Sequence, residues 1–121
     1  MSRSPTGGPA WNDDLSADAR AAVAPVLDPT EVVDAVAAAV GCVMILTRRR
    51  LVIVRDGANF RPKTGVRWFD LDHSLAIRIG PGRRRIIIES AGTTINVFVR
   101  AEQLEQAEQL VAEIRRRIVL G

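Results

Sequence analysis

A chain of 121 residues with 47% hydrophobic side chains is sized for one globular domain, which excludes a disordered polymer. Its single cysteine, Cys42, excludes an internal disulfide, and no apolar run reaches the ~18 residues of a membrane span. The net charge of +3 hides a split: residues 1–40 carry two cations and six acids, net −4, and residues 41–121 carry fifteen and eight, net +7. A basic folded part is permissive for anionic partners without naming one. Sixteen of the seventeen cations are arginine, Lys63 being the exception. Codon usage across a genome produces such a ratio as readily as selection for phosphate does, so the arginine count has no weight alone. Behind Arg3 there is no hydrophobic segment of the secretory type, and with one thiol the expected location is cytoplasmic.

Residues 1–13, with Pro5, Gly7, Gly8 and Pro9, are expected as a flexible tail. Residues 14–29 make an alanine-rich lead-in. Ser16 is placed to cap, Asp18 falls in the first turn, and a short helix from about Ala17 to Ala24 should end near Pro25. Its small apolar face is expected to lie on the domain, residues 30–121. The domain's first stretch, "TEVVDAVAAAVG" (Thr30 to Gly41), fits two descriptions. Thr30 and the alanines favour a helix, whereas Val32, Asp34, Val36, Ala38 and Val40 alternate with smaller residues as in a strand.

From Cys42 the pattern is β. "CVMILT" and "LVIVR" are β-branched apolar runs separated by Arg48, Arg49 and Arg50, which suits a tight hairpin. "DGANFRPKTG" (Asp56 to Gly65) is dense in turn formers and reads as a longer loop. "VRWFDL" (Val66 to Leu71) follows as a strand, and "DHS" as a turn. In "LAIRI" (Leu75 to Ile79) the apolar residues alternate with Arg78 outward. "GPG" (Gly80 to Gly82) opens a hairpin into "RIIIES" (Arg85 to Ser90), and Ala91 and Gly92 turn into "TTINVFV". A closing helix is predicted from about Ala101 to Val119. Leu104, Ala107, Leu110, Val111, Ile114 and Ile118 form one stripe at spacings of three and four. Glu102, Glu105 and Glu108 early in this helix and Arg115, Arg116 and Arg117 at its end complement its dipole.

Strand pairs joined by short turns and closed by one amphipathic helix resemble the pleckstrin-homology (PH) superfold. More narrowly, "GCVMILTRRRLVIVRDG" is similar to the bacterial PH-like domains, in which a strand ends in Thr and a following Arg-Leu begins the next. "GVRWFDLD" and "VFVRAEQLEQAEQLVAEIRRRI" fit the same pattern, so the resemblance covers residues 30–120. It implies a mainly β fold with a C-terminal helix: a seven-stranded barrel of two near-orthogonal antiparallel sheets, four plus three, capped by that helix. A first strand is then needed, and only Glu31 to Ala39 can supply it. The resemblance thus overrules the local helix propensity there.

In that family, phosphoinositide headgroups dock at the end opposite the helix, chiefly on the loop after strand one. Here that loop is "AAVGC", with no cation, a departure from the lipid-binding pattern. The basic residues left at the ligand end are Arg55, Arg61, Lys63 and Arg67, the candidate anion-binding group. The topology implied by the resemblance puts the other two turn triplets, with Arg48, Arg49, Arg83 and Arg84 as a candidate basic patch, together at the helix-capped end. Solvated turns account for most of these arginines. Nucleic acid fits poorly, because aromatic residues are 4% of the chain and tyrosine is absent.

Chemistry has little to work with. Asp70, Asp72 and His73 form the one ligand-type cluster, and neither spacing is that of a structural zinc site. Cys42 abuts an apolar strand and reads as a small buried hydrophobe. With one histidine and no glycine-rich phosphate loop, no catalytic residue, metal or cofactor is expected. The expected function is that of a small binding or scaffold module, joining a protein partner or copies of itself. The alternative is a peripheral binder of anionic lipid headgroups at the inner membrane surface, and an enzyme is the third option.

Overall fold

The computed structural model describes residues 17, 21, 23–27, 30–56 and 64–120. Its strands are β1 (Val33–Ala39), β2 (Cys42–Thr47), β3 (Arg50–Asp56), β4 (Thr64–Asp70), β5 (Leu75–Ile79), β6 (Arg85–Ser90) and β7 (Thr93–Phe98). They form two antiparallel sheets, ordered β1-β2-β3-β4 and β5-β6-β7, and neither sheet closes on itself. Short 3-10 turns at Pro81–Arg83 and Ala101–Gln103 precede β6 and the helix α1 (Leu104–Leu120).

The ambiguous alanine-rich stretch is a strand. Ala35, Ala37 and Ala39 share its inner face, and α1 lies against β1 and against β5, the edge strands of the two sheets. Small side chains on β1 give the helix room to approach. Packing under α1 thus outweighs the helix propensity of alanine, as tertiary context often does. The predicted stripe of α1 does the sealing: Ala107, Leu110, Val111 and Ile114 are buried, with Leu104 and Ile118 at the margins. The other walls of this core are Met44, Leu46, Leu51, Ile53 and Phe69 from the larger sheet and Ile77, Ile86, Ile88, Ile95 and Val97 from the smaller.

The central strands β2 and β3 are buried on both faces, which explains why their apolar runs are nearly continuous rather than alternating. On the outer face Ile45, Val52 and Val54 are covered by Val23 and Leu27 of the lead-in. Ala17, Ala21 and Val23 are helical, and the amides of Val26 and Leu27 both donate to the Val23 carbonyl. Ala24, the expected end of the lead-in helix, is in a turn; residues 18–20 and 22, and residues 1–13, lie outside the described residues.

Two expectations need correcting. The β2–β3 turn comprises Arg48 and Arg49 only, because Arg50 already pairs with Asp70 as the first residue of β3. β4 begins at Thr64, two residues earlier than its apolar content suggests, since Asp56 and Arg55 extend the ladder to Thr64 and Gly65. The β6–β7 hairpin closes as read, with Ala91 at φ 50° and Gly92 at φ 84°. These are the two left-handed residues that match a tight hairpin to strand twist.

Candidate functional site

Arg50 lies at the start of β3 and Arg55 near its end, and at a separation of five positions the pleat turns them to opposite faces. Arg55 stands directly opposite Gly65 on β4, and Ile53 stands opposite Arg67. Arg55 and Arg67 are therefore diagonal neighbours on the inner face, within reach of each other's long side chains, with no side chain on Gly65 to stand between them. Both line a cavity of about 180 Å³, whose other walls are Ile53, Gly65, Val66 and Ile95. Ile53 and Ile95 belong to the main core, so two guanidinium groups border an apolar floor.

Cys42 completes this row, since it pairs with Arg55 from the other side. Its thiol is pushed up to about 11 by desolvation, with the charge of Arg55 pulling it down. At neutral pH it is a protonated, unreactive group packed against the core. Of the candidate anion-binding group, the structure brings Arg55 and Arg67 together, and Arg61 and Lys63 lie outside the described residues. Neither Arg55 nor Arg67 has a carboxylate partner among the described residues.

The β2–β3 turn is built differently. Thr47, fully buried, accepts the amide protons of Arg49 (3.2 Å) and Arg50 (3.1 Å) on Oγ1 and donates its hydroxyl proton to Glu31 Oε2 (2.8 Å). The Arg50 guanidinium forks onto the same carboxylate, Nε to Oε2 at 2.8 Å and Nη2 to Oε1 at 2.7 Å, and also donates to the Val26 carbonyl. The side chains of Arg50 and Glu31 retain only 12% and 7% of their exposure, so this is a buried, bidentate pair. The guanidinium also lies 5.5 Å from the ring centroid of Trp68. Arg50 is thus no solvated turn residue. It fastens the segment that follows the lead-in to the outer face of the sheet.

Sequence reasoning missed Glu31, Thr47 and Arg50 as one unit. The signal was present: the Thr and the Arg of the Arg-Leu that carry the family resemblance are Thr47 and Arg50, the strand ends on either side of the turn, and both meet Glu31. One residue of the helical triplet joins the same corner. Arg117 donates to Asp34 (2.9 Å), to Glu113 (2.7 Å) and to the Thr47 carbonyl (3.2 Å). Hydrogen bonds from Arg116 and Arg117 hold the Glu113 carboxyl below its ordinary range. Arg48, 72% exposed, reaches Asp34 only at 3.8 Å.

The two turns that carry the candidate basic patch are tied to different ends of α1. Arg48 and Arg49 flank Thr47 and so lie at the C-terminal end of α1. The Arg84 carbonyl instead accepts the amide of Val99, just before that helix begins, and Arg83 precedes it. The first turn is thus tied to the last turn of the 17-residue helix α1 and the second to the segment before it. The reason is that α1 runs along two strand edges, so its ends reach different corners.

The acidic cluster is a turn between β4 and β5. Asp72 Oδ1 accepts both the amide (2.9 Å) and the hydroxyl (2.6 Å) of Ser74, which lowers its pKa. Asp70 instead closes the β3–β4 ladder opposite Arg50. No three His, Cys, Asp or Glu side chains among the described residues converge as metal ligands do. Among the same residues no helix is long and apolar enough to cross a membrane. No family model, curated protein or solved structure matches the chain.

Proposed function

We propose that the chain is a small non-catalytic binding module with a PH-like arrangement of its two sheets and helix, and that it works by docking to a protein. The architecture supports the first part: four antiparallel strands, then three, then a helix lying on the edge strands of both sheets. The second part rests on one observation. Trp68, on the outer face of edge strand β4, is 50% exposed, and its ring is stacked beside a guanidinium that Glu31 holds in place.

An edge strand offers unpaired backbone groups to a partner strand. An aromatic anchor already fixed by its neighbours loses little entropy on docking, and Trp and Arg are the residues that dominate interface energies. A second copy of the chain is the first partner to test. Sedimentation equilibrium over a wide concentration range should show self-association that Trp68→Ala weakens without lowering thermal stability by much. A strict monomer at the highest concentration would remove self-association.

The alternative of an anionic lipid surface has less behind it. Arg50, Arg116 and Arg117 are matched to Glu31, Glu113 and Asp34, which neutralises much of two triplets, and the remaining turn arginines lie at opposite ends of α1. Lipid vesicles at low salt are the control, because dispersed exposed charges would bind them weakly and lose them as salt rises.

A further inference from the structure

The hollow between β5 and the end of α1, lined by Leu75, Ile77, Ile118 and Val119, has nothing that says what covers it. The hollow beside the lead-in is bordered by Glu31 and Arg50, which are already committed to one another. The cavity between β3, β4 and β7 is different, since its chemistry is asymmetric and uncommitted.

We propose that this cavity binds a small amphiphilic oxyanion. The head is a single carboxylate or phosphate monoester held by Arg55 and Arg67, and the tail is an apolar body resting on Ile53 and Ile95. Diagonal placement on one face of β3 and β4 lets two guanidinium forks reach a common oxyanion from either side of Gly65. Half-burying Arg55 beside an apolar floor costs solvation that no described carboxylate returns. Two like charges on one face also repel, and an anion between them removes both penalties. Volume sets the tail. A cavity of 150 Å³ takes a benzene ring, so 180 Å³ accommodates about six carbon atoms.

The same features argue against a multiply phosphorylated headgroup. The ring hydroxyls of such a ligand would lose water against Ile53 and Ile95 without gaining partners there. The site is distinct from the proposed protein contact: Arg67 and Trp68 are adjacent in β4 and so project from opposite faces.

The test is a titration of the full chain, followed by amide chemical shifts, with hexanoate, hexyl phosphate, acetate, inorganic phosphate and hexanol. Hexanoate or hexyl phosphate should shift the amides of Gly65, Val66 and Ile95 saturably, and the tighter of the two identifies the head. Acetate, inorganic phosphate and hexanol should each bind about tenfold more weakly or worse, as loss of either the tail or the charged hydrogen bonds implies. The Arg55→Ala, Arg67→Ala double variant should lose binding to the same degree while unfolding at the same temperature. Trp68→Ala should leave it unchanged. The proposal is overturned if hexanol binds as well as hexanoate, if inorganic phosphate matches hexyl phosphate, if the double variant keeps its affinity, or if no probe shifts these amides.

Discussion

At the start of β3, Arg50 is buried on the outer face against Glu31, the Val26 carbonyl and the Trp68 ring. At the end of the same strand, Arg55 turns to the inner face, beside an apolar cavity and a second arginine, with no carboxylate facing it among the described residues. One residue type in one strand thus does two jobs. What separates them is what the neighbouring strand and the preceding segment supply. A guanidinium given a carboxylate, a backbone carbonyl and burial becomes part of the fold. A guanidinium given an apolar floor and another cation remains available to a ligand.

The comparison can be broken most forcefully at the matched end. Glu31→Ala removes the carboxylate onto which the largely buried Arg50 guanidinium forks, and losing one partner of such a pair costs about 3–5 kcal/mol. Urea unfolding should show a midpoint lowered by that free energy divided by the slope, with the slope itself unchanged, and near-normal stability would argue that the pair is solvated. Val23→Ala removes two methyl groups from the cover over Ile45, Val52 and Val54 and should cost about 1–2 kcal/mol. An effect near zero would mean that the lead-in does not stay on the sheet.

Arg117→Ala unties the end of α1 from Asp34 and the Thr47 carbonyl at a partly exposed site, and about 1 kcal/mol is expected. Hydrogen exchange should quicken in the last turn of α1 and at the β2–β3 turn, and not at β7. The smallest effect concerns Cys42. Its folded pKa, raised to about 11, lies above that of the unfolded thiol, so the folded state holds the proton longer. Its contribution is therefore whole below about pH 9 and is lost as pH rises toward 11. Cys42→Ala should flatten the fall in stability over that window, and the wild-type thiol should resist alkylation at pH 8.

Much of the fold was legible because β2, β3, β5 and β6 carry uninterrupted or strictly alternating apolar residues, and because the stripe of α1 has a single period. The strand character of residues 33–39 was not legible locally. Alanine there serves the approach of α1, and that information resides 70 residues downstream. The family resemblance recovered it through strand number alone.

The site was half legible. Reading inward from Leu51 and Ile53, the next residue of the same parity is Arg55, and reading back from Phe69 it is Arg67. An inward-parity arginine in each of two adjacent strands is the signal for the cavity, but only the register reveals that the two are neighbours across Gly65. The Arg50 lock was hidden for the same reason: Glu31 lies 19 residues earlier, and a triplet of arginines looks uniform until the strand's first residue is known. Within that triplet Arg48 is solvent-facing and Arg50 is nearly enclosed.

The division of labour between the two ends of β3 is tested most directly by urea unfolding of Arg50→Ala and Arg55→Ala side by side. Arg50→Ala should lose about 3–5 kcal/mol, because it takes away the guanidinium that the Glu31 carboxylate is packed against, and Arg55→Ala should stay within about 0.5 kcal/mol of the wild type. Equal losses in the two variants, or a larger loss at Arg55, would contradict the assignment of one arginine to the fold and the other to a ligand.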